Sequence, residues 1–380
     1  MRIMFWNAAF LPHIGGVEIF TARLAAGLIA RGCQVAVVTD SDLEGDPELD
    51  ARLGLEVFRL PFRAALDPAA MDVRARLRLI GEITAQTAEL KRAFRPEIVH
   101  VNLADAGPFF HMRTMQAHAA ATVVTFQAAL ERSAHGSQGV AGDLVSRAQA
   151  LVAVSEAAAL NAAHHTGLPV ERIQVIYPGV PADEFTLRPA PASEPPVFGY
   201  LGRLAEEKGV ALLLQALALM GGEARLLVIG DGPDRARLEA LASKLGVAPR
   251  VTFAGQVSDA ERQRLMSTLR ALAVPSQHEE LFGMVAVEGA LAQLPVVATA
   301  IGGLQEIVRP GETGFLAQHG LVEDFARHFK ILADDPALAR RMGEAGRASA
   351  LARYTIETTV ERYAALYAQC VVGSRHAAGA

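Results

Sequence analysis

Two cations frame a short loop that follows a predicted strand and precedes a predicted helix. The loop spans residues 202–209 and reads GRLAEEKG, with Arg203 near its start and Lys208 near its end. A helix N-terminus offers free N–H groups and the positive end of the helix dipole, both of which favour an anion. With two flexible cations beside it, such a loop could neutralise a diphosphate without a metal ion. Taken alone, the same spacing fits two solvated loop cations.

Two carboxylates mark a second strand-to-helix connection, at residues 275–288 (PSQHEELFGMVAVE). If the helix begins near Gly283, Glu280 lies in the loop before it and Glu288 lies more than one turn inside it. A carboxylate holds a neutral hydroxyl strongly, so both side chains suit the recognition of sugar hydroxyls. The alternative is that Glu280 caps the helix and Glu288 is an exposed helical residue.

A third connection contains paired glycines between the first predicted strand and the first predicted helix, in PHIGGVE at residues 12–18. Gly15 and Gly16 would let the backbone approach a ligand closely, with His13 beside them. A tight strand-to-helix turn explains the same pair. The sequence contains neither G-x-G-x-x-G nor G-x4-G-K-[ST], so dinucleotide and P-loop sites lose their main support.

Composition restricts the classes of protein to which the chain can belong. It has 380 residues, of which 51% are hydrophobic and 20% charged, and this predicts two packed domains. A net charge of −5 argues against nucleic-acid binding. Cys33 and Cys370 form no CxxC motif, so neither a disulfide framework nor a thiolate zinc site is indicated. The sequence shows no signal peptide and no apolar run long enough to span a membrane, and we expect a cytoplasmic protein.

The elements that position these loops alternate as strand and helix along the whole chain. Apolar runs predict strands in the first half at residues 3–6, 34–39, 55–60, 98–102, 122–126, 150–154 and 173–177, and a helix at 17–31. In the second half they predict strands at residues 197–201, 225–229, 251–254, 271–274 and 296–299, and a helix at 210–220. Near-continuous apolar strands indicate parallel sheets covered on both faces. The fold class is therefore α/β, with two Rossmann-like doubly wound sheets facing across a cleft.

Four prolines at residues 187–196 mark the predicted linker between the halves. The predicted domains are residues 1–186 and 197–354, and the last ten residues are predicted to be a frayed tail. In parallel sheets, ligands bind beyond the carboxyl ends of the strands. The three loops described above occupy such ends.

Taken together, the motifs resemble family 4 of the retaining glycosyltransferases, which have the GT-B fold. The resemblance covers roughly residues 1–367 and rests on the order and spacing of several weak motifs. These motifs are Gly15-Gly16, VIYPGV at 175–180, Gly202-Arg203 with Lys208-Gly209, GDGP at 230–233, Glu280 and Glu288 around Phe282-Gly283, and Gly302-Gly303 with Glu306.

The resemblance implies a donor, a UDP-, GDP- or ADP-sugar, bound mainly by the second domain. The acceptor, a glycan, glycolipid or small hydroxylated molecule, would bind mainly to the first domain. A last helix, at about residues 355–370, would pack back onto the first domain. The residues implied for the donor site are Gly16, Gln127, Arg203, Lys208, Val257, Glu280, Phe282, Gly283, Met284, Val285 and Glu288. Those implied for the acceptor site are His13, Gly15 and Gly16.

Within this site Arg203 and Lys208 would hold the diphosphate, Glu288 the ribose and Glu280 the donor sugar, while the segment around Val257 would contact the base. Breaking the anomeric bond leaves a dianionic diphosphate, so charge stabilisation is the main requirement. The resemblance thus implies a hexosyltransferase without metal or cofactor, with Arg203, Lys208 and Glu280 as its catalytic residues. Glu280 would orient the sugar rather than act as a nucleophile.

Three positions depart from the family pattern. Gln127 and Asn102 stand where many relatives carry histidine, and Leu281 replaces a residue that is usually small. These changes keep two alternatives open. One is a sugar phosphorylase or synthase on the same fold, and the other is a nucleotide-sugar-binding protein without catalytic activity.

Other patterns fit less specific explanations. Asp40-Ser41-Asp42 matches the DxD motif of metal-dependent transferases but lies in an acidic loop. His111 and His118 lack a carboxylate at ligand spacing, so no metal site is predicted. Basic residues at 74–78 and 91–95 suggest a weak peripheral contact with anionic lipids, although a solvated helix face is favoured. Acceptor recognition is expected around His13, 104–110 and 128–139.

Overall fold

The computed structural model describes residues 1–13, 15–41, 45–103, 108–130, 140–185 and 194–378. The chain divides into two units, one formed by Met1–Gly179 with Ile356–Ala380 and the other by Val180–Thr355. The second unit thus begins earlier than the predicted boundary at residue 186. Val180 donates a backbone hydrogen bond of 2.9 Å to Tyr354, and this contact holds the segment to the second unit. Residues 187–193 of the predicted linker lie outside the described residues.

The first unit contains a parallel sheet of seven strands in the order β3-β2-β1-β4-β5-β6-β7. Its strands are β1 (Arg2–Trp6), β2 (Gln34–Asp40), β3 (Glu56–Leu60), β4 (Ile98–Leu103), β5 (Ala121–Phe126), β6 (Ala150–Ala153) and β7 (Ile173–Val175). The sheet is doubly wound, because the strand order reverses between β1 and β4. Each strand corresponds to a predicted apolar run, with ends that differ by one or two residues.

Helices connect these strands. They are α1 (Gly16–Ala30), α2 (Pro47–Arg52), α3 (Phe62–Leu66), α4 (Val73–Phe94), α5 (Pro108–Arg113), α6 (Val140–Arg147) and α7 (Glu156–Thr166), and α15 (Ile356–Ala378) ends the chain. Phe20 and Leu24 of α1 share a buried apolar cluster with Tyr363 of α15. The prediction of a frayed tail is wrong for residues 371–378, because α15 continues through them.

A buried histidine ties α15 to the sheet of the first unit. In β4, His100 Nδ1 lies 2.6 Å from the hydroxyl of Tyr367, and Nε2 lies 2.7 Å from Thr125 Oγ1. The hydroxyl of Tyr363 is 3.1 Å from the same threonine oxygen. Burial lowers the pKa of His100 to about 3, so the ring is neutral and both its nitrogens take part in hydrogen bonds.

A buried lysine lies on the other side of this sheet. Lys91 of α4 is 1% exposed, its Nζ lies 2.9 Å from Nδ1 of His111, and it stands over the ring of Trp6. Burial lowers the pKa of Lys91 from 10.5 to about 7. Burial and the neighbouring lysine also lower the pKa of His111 well below its usual range. His111 is thus a neutral core residue, not a metal ligand paired with His118.

The second unit contains a parallel sheet of six strands in the order β10-β9-β8-β11-β12-β13. Its strands are β8 (Val197–Leu201), β9 (Arg225–Ile229), β10 (Val251–Gly255), β11 (Ala271–Val274), β12 (Val296–Thr299) and β13 (Gly314–Ala317). Its helices are α8 (Val210–Met220), α9 (Arg235–Lys244), α10 (Asp259–Met266), α11 (Met284–Leu291), α12 (Leu304–Ile307), α13 (Val322–Asp334) and α14 (Pro336–Arg353). The strand order again reverses, here between β8 and β11. The two sheets confirm the predicted fold class.

Candidate functional site

Lys208 and Glu280 meet at the strand-order switch point of the second unit. Lys208 follows β8 and Glu280 follows β11, and these strands are neighbours in the sheet. Lys208 Nζ donates a hydrogen bond of 2.9 Å to Glu280 Oε2, and Ser276 Oγ donates one of 3.1 Å to the same oxygen. The carboxylate of Glu280 is therefore bound by Lys208 and Ser276 and does not cap α11. The structure therefore excludes the capping interpretation of Glu280, since α11 has no side-chain cap.

Arg203 lies in the same loop as Lys208 but points further into solvent, with its side chain 65% exposed. Its Nη2 donates a hydrogen bond of 2.6 Å to Glu207 Oε1. The backbone oxygen of Glu207 accepts a hydrogen bond of 2.8 Å from the N–H of Gln277. Glu207 thus pairs with Arg203 through its side chain and joins the loop at 202–209 to the loop at 275–283 through its backbone. This role was not predicted from the sequence.

Tyr200, in β8, supports the loop at residues 202–209 through a hydrogen bond. Its hydroxyl donates a hydrogen bond of 2.8 Å to the backbone oxygen of Arg203. Burial, together with the charges of Glu280 and Glu207, raises the pKa of Tyr200 well above its ordinary value. The phenol stays protonated and keeps donating to the loop.

Glycines let three backbone segments approach closely at this site. A Cβ on Gly209 would overlap the carbonyl oxygen of Pro275, and one on Gly302 would overlap that of Glu280. Gly302 also has φ +46, in the left-handed region that disfavours other residues. The N–H of Gly303 donates a hydrogen bond of 2.8 Å to the oxygen of Glu280. The backbone of Gly302 and Gly303 therefore holds the backbone of Glu280 in position.

Helix α11 begins at Met284, after Gly283 with φ +106 and no side-chain cap. The first N–H groups of a helix lack partners within it, so those of Met284 and Val285 are suited to an anion. Phe282 contributes packing rather than a side-chain contact with ligand, because it is 5% exposed and its ring packs edge-on against Tyr354.

Glu288 lies more than one turn inside α11, as expected from the sequence, and Val257 lies in a loop of the same unit. Glu288 lies in α11 and its side chain is only 12% exposed, so it is not the freely exposed helical residue of the alternative interpretation. Its Oε2 lies 3.8 Å from Nη1 of Arg262 in α10. Val257 is half-buried in the turn between β10 and α10.

The paired glycines of the first unit lie at the start of α1. A Cβ on Gly16 would meet nothing within 4 Å, so there is open space there, whereas one on Gly15 would overlap Oε2 of Glu18. Glu18 is 8% exposed, and its Oε1 lies 4.0 Å from Nε2 of His13. A carboxylate thus lies beside the predicted acceptor residues. Ile14 lies outside the described residues.

A chain of uncharged polar side chains crosses the switch point of the first unit. Asn102, near the end of β4, donates hydrogen bonds of 2.8 Å to Asn7 Oδ1 and 3.0 Å to Thr21 Oγ1. Asn102 Oδ1 accepts a hydrogen bond of 3.0 Å from Gln127 Nε2. The structure therefore joins two of the three positions that depart from the family pattern. Asn7 and Thr21 were not singled out from the sequence, because a buried amide and hydroxyl have no motif.

The remaining predictions have simple structural outcomes. Asp40 is buried and accepts a hydrogen bond of 2.7 Å from the N–H of Arg63, while Asp42 lies outside the described residues. The described residues contain no cluster of three or more His, Cys, Asp or Glu side chains that could hold a metal ion. In the predicted acceptor loops, residues 104–107 and 131–139 lie outside the described residues.

The basic start of α4 also exposes apolar side chains. Val73 and Leu77 are each 62% exposed, next to exposed Arg74 and Arg78. The residues 74 and 78 share one helix face because they are four apart. No helix in the described part of the chain is long and apolar enough to cross a membrane.

Family models cover most of the chain. The model of Glycosyl transferases group 1 matches residues 183–349. The model of Glycosyltransferase Family 4 matches residues 14–184. The two matches meet close to the boundary between the structural units.

Individual relatives agree with these models. A 2-deoxystreptamine glucosyltransferase of Streptomyces kanamyceticus is 36% identical over 215 residues, which are 53% of this chain and 55% of that protein. A D-inositol 3-phosphate glycosyltransferase of Xylanimonas cellulosilytica is 30% identical over 92% of this chain and 93% of its own length. The chain thus spans about half of the first relative and nearly all of the second.

Among solved structures, HepE of Anabaena, in complex with UDP and glucose, superposes with a TM-score of 0.78. The match covers 97% of this chain and all of the other, at 22% identity. This likeness shows that the two chains share a fold.

Proposed function

The chain belongs to the group 1 glycosyl transferases with a family 4 first domain, and on this premise we propose that it is a retaining, metal-independent hexosyltransferase. Its donor would be a UDP-, GDP- or ADP-sugar. Its acceptor would be a glycan, a glycolipid or a small hydroxylated molecule, and the product would serve polysaccharide or cell-envelope synthesis.

One observation carries the proposal: Lys208, Glu280 and the start of α11 converge where the strand order of the second sheet reverses. This is the place where doubly wound sheets bind ligands. Arg203 and Lys208 supply two positive charges, and the first N–H groups of α11 supply further donors. These groups would neutralise the diphosphate in the role that a metal ion plays in other transferases.

The proposed reaction exchanges bonds on one face of the sugar. The bond from the anomeric carbon to the diphosphate oxygen breaks, and a bond to the acceptor oxygen forms on the same side. The acceptor hydroxyl gives its proton to the leaving diphosphate, so no enzyme nucleophile is required. Arg203 and Lys208 stabilise the developing negative charge, and losing one such donor costs roughly 100- to 1,000-fold in rate.

Glu280 is proposed to orient the sugar, because Lys208 and Ser276 hold its carboxylate in place. Glu288 is proposed to bind the ribose hydroxyls, since Arg262 lies beside its partly buried carboxylate. Val257 would lie against the base, and Gly283, Met284 and Val285 would face the phosphates. In the first unit, His13, Gly15 and Gly16 are proposed to contact the acceptor, and Gly16 has the open space that a close ligand requires.

The relatives suggest the kind of acceptor. One is named for 2-deoxystreptamine and another for D-inositol 3-phosphate, both of which are hydroxylated six-membered carbon rings. We therefore propose to begin the acceptor screen with cyclitols and their phosphates. The carboxylate of Glu18 near His13 would favour an acceptor that carries an amine over one that carries a phosphate.

The test is transfer from UDP-glucose, GDP-mannose or ADP-glucose to a cyclitol panel in EDTA, followed by NMR of the anomeric proton. We expect an α-linked product from an α-linked donor, and loss of transfer in Arg203→Ala without loss of folding. A β-linked product would contradict retention, and dependence on added metal would contradict metal independence. Product formation from glucose 1-phosphate alone would favour a phosphorylase, while tight donor binding without turnover would favour a non-catalytic protein.

A further inference from the structure

The backbone of Gln277 connects the two loops that carry the cations and the carboxylate of the proposed diphosphate site. Its N–H donates a hydrogen bond of 2.8 Å to the backbone oxygen of Glu207, in the loop at 202–209. A Cβ on Gly209, at the end of that loop, would lie 3.0 Å from Cγ of Gln277, so the two loops are also in close contact there. The position of Gln277 therefore sets how the two loops lie against each other.

The side chain of Gln277 is bound within its own loop. Its Nε2 donates hydrogen bonds of 2.7 Å to the backbone oxygen of Pro275 and 3.2 Å to that of Ser276. These bonds hold the half-buried amide against the backbone of the loop at 275–283. Because Ser276 also donates to the carboxylate of Glu280, a shift of Gln277 would move a partner of that carboxylate.

A third loop reaches Gln277 from the edge of the sheet. His319 lies between β13 and α13, and its Nε2 is 2.8 Å from the backbone oxygen of Gln277. A carbonyl oxygen can only accept, so Nε2 carries a hydrogen and donates it. In the sheet, β13 lies two strands away from β11, so this contact bridges the end of β12, a span of roughly 10 Å.

The segment from Gln277 to Glu280 is therefore held at both ends. At one end, the imidazole of His319 binds the backbone oxygen of Gln277. At the other end, the N–H of Gly303 binds the backbone oxygen of Glu280 at 2.8 Å. The first of these two contacts is made by an exposed side chain, so a substitution can remove it and leave the core unchanged.

We propose that His319 is a positioning residue of the proposed diphosphate site, which it preorganises by holding the loop at 275–283 against the loop at 202–209. This inference rests on the proposed glycosyltransferase function, because it concerns the same site. His319 does not contact the diphosphate. It acts through Gln277 on the carboxylates that pair with Arg203 and Lys208. Every residue that takes part belongs to the second unit.

The test measures the affinity of the best-binding diphosphate among UDP, GDP and ADP by calorimetry in EDTA. We expect His319→Ala to lower this affinity about 3- to 10-fold, the value of one net hydrogen bond, because binding must then order the loops. His319→Gln should bind within about 2-fold of wild type, since its amide N–H can reach the same oxygen. Gln318→Ala is the matched control and should bind as wild type does. Gln318 is the exposed neighbour of His319, and its side chain makes no hydrogen bond with the residues that the structure describes.

Two further measurements separate positioning from a general loss of structure. The urea midpoint of His319→Ala should equal that of wild type, because the lost hydrogen bond lies at the surface. In the background of Lys208→Ala, His319→Ala should lower the affinity less than it does in wild type. One of the groups that His319 positions is then already gone.

Wild-type affinity in His319→Ala would overturn the proposal. A loss that His319→Gln does not recover, or that comes with a lower urea midpoint, would also overturn it. Equal effects of His319→Ala with and without Lys208 would do the same. If wild type binds no diphosphate at all, the proposed function fails, and this inference fails with it.

Discussion

The ammonium of Lys208 donates a hydrogen bond of 2.9 Å to the carboxylate of Glu280, which lies 72 residues further along the chain. Both groups are proposed to contact the same donor molecule. Arg203 is likewise paired, with Glu207. The two cations proposed for the diphosphate are thus each paired with a carboxylate. A diphosphate must compete with these carboxylates when it binds.

This competition predicts that removing the charge of Glu207 strengthens diphosphate binding. Glu207→Gln should raise the affinity for the best-binding diphosphate about 2- to 5-fold, because exposed ion pairs of this kind are worth up to about 1 kcal/mol. Glu206→Gln is the matched control, since Glu206 is the exposed neighbour in the same turn and has no such contact with Arg203. Equal affinity changes in both variants, measured by calorimetry, would show that the pair does not restrain Arg203.

The close approach of Gly302 to Glu280 gives a second prediction. Gly302→Ala should lower kcat/KM by roughly 10- to 100-fold, because the new Cβ overlaps the Glu280 carbonyl and displaces its loop. Gly311→Ala is the control, since Gly311 has φ +80 but nothing within 4 Å of an added Cβ. It should lose about 1 kcal/mol of stability through backbone strain and keep its activity. Equal activities for the two variants would contradict the positioning of Glu280 by Gly302.

The buried Lys91 predicts a pH dependence of stability. Its pKa falls from 10.5 in a model peptide to about 7 in the fold, so between these values only the unfolded chain keeps the proton. The free energy of unfolding should therefore rise with pH from about 7 to about 10.5, by at most about 1.4 kcal/mol per unit from this group. His111, whose pKa is lowered well below 6.5, is neutral throughout this window.

Lys91→Met should remove that rise and raise stability near pH 7, where the protonated lysine is costly to bury. Lys244→Met, at an exposed position of α9, should leave the pH dependence as it is in wild type. Urea unfolding at several pH values measures both. A pH dependence in Lys91→Met that matches wild type would mean that Lys91 is not the group that titrates.

The sequence predicted the strands well because buried parallel strands are short apolar runs. It missed β13, because Gly314–Ala317 begins with glycine and contains no β-branched residue. It missed the early start of the second unit because the contact of Val180 with Tyr354 joins distant parts of the chain. The hydrogen bonds among Asn7, Thr21 and Asn102 were missed for the same reason. They join the end of β1, helix α1 and β4, which are far apart in the sequence.

Among the site residues, the sequence alone left two explanations for Glu280, and the position of its carboxylate excludes one of them, the capping of α11. The structure shows that carboxylate bound by Lys208 and Ser276, away from a cap of α11. The role of Glu207 was not predicted, because in sequence an i,i+4 pair of opposite charges looks the same as any exposed ion pair on a helix. The sequence motifs thus identified the loops of the candidate site. The ion-pair partners of Arg203 and Lys208 could be identified only from the structure.

The most direct test of the central claim is the affinity of wild type, Arg203→Ala, Lys208→Ala and Lys244→Ala for UDP, GDP and ADP in the presence of EDTA. The account predicts that wild type and Lys244→Ala bind one diphosphate equally well without metal. It predicts that Arg203→Ala and Lys208→Ala each lose at least about 10-fold, as expected for a charge-assisted contact. Undiminished binding in both site variants, or binding that requires added metal, would contradict a diphosphate site built from these two cations.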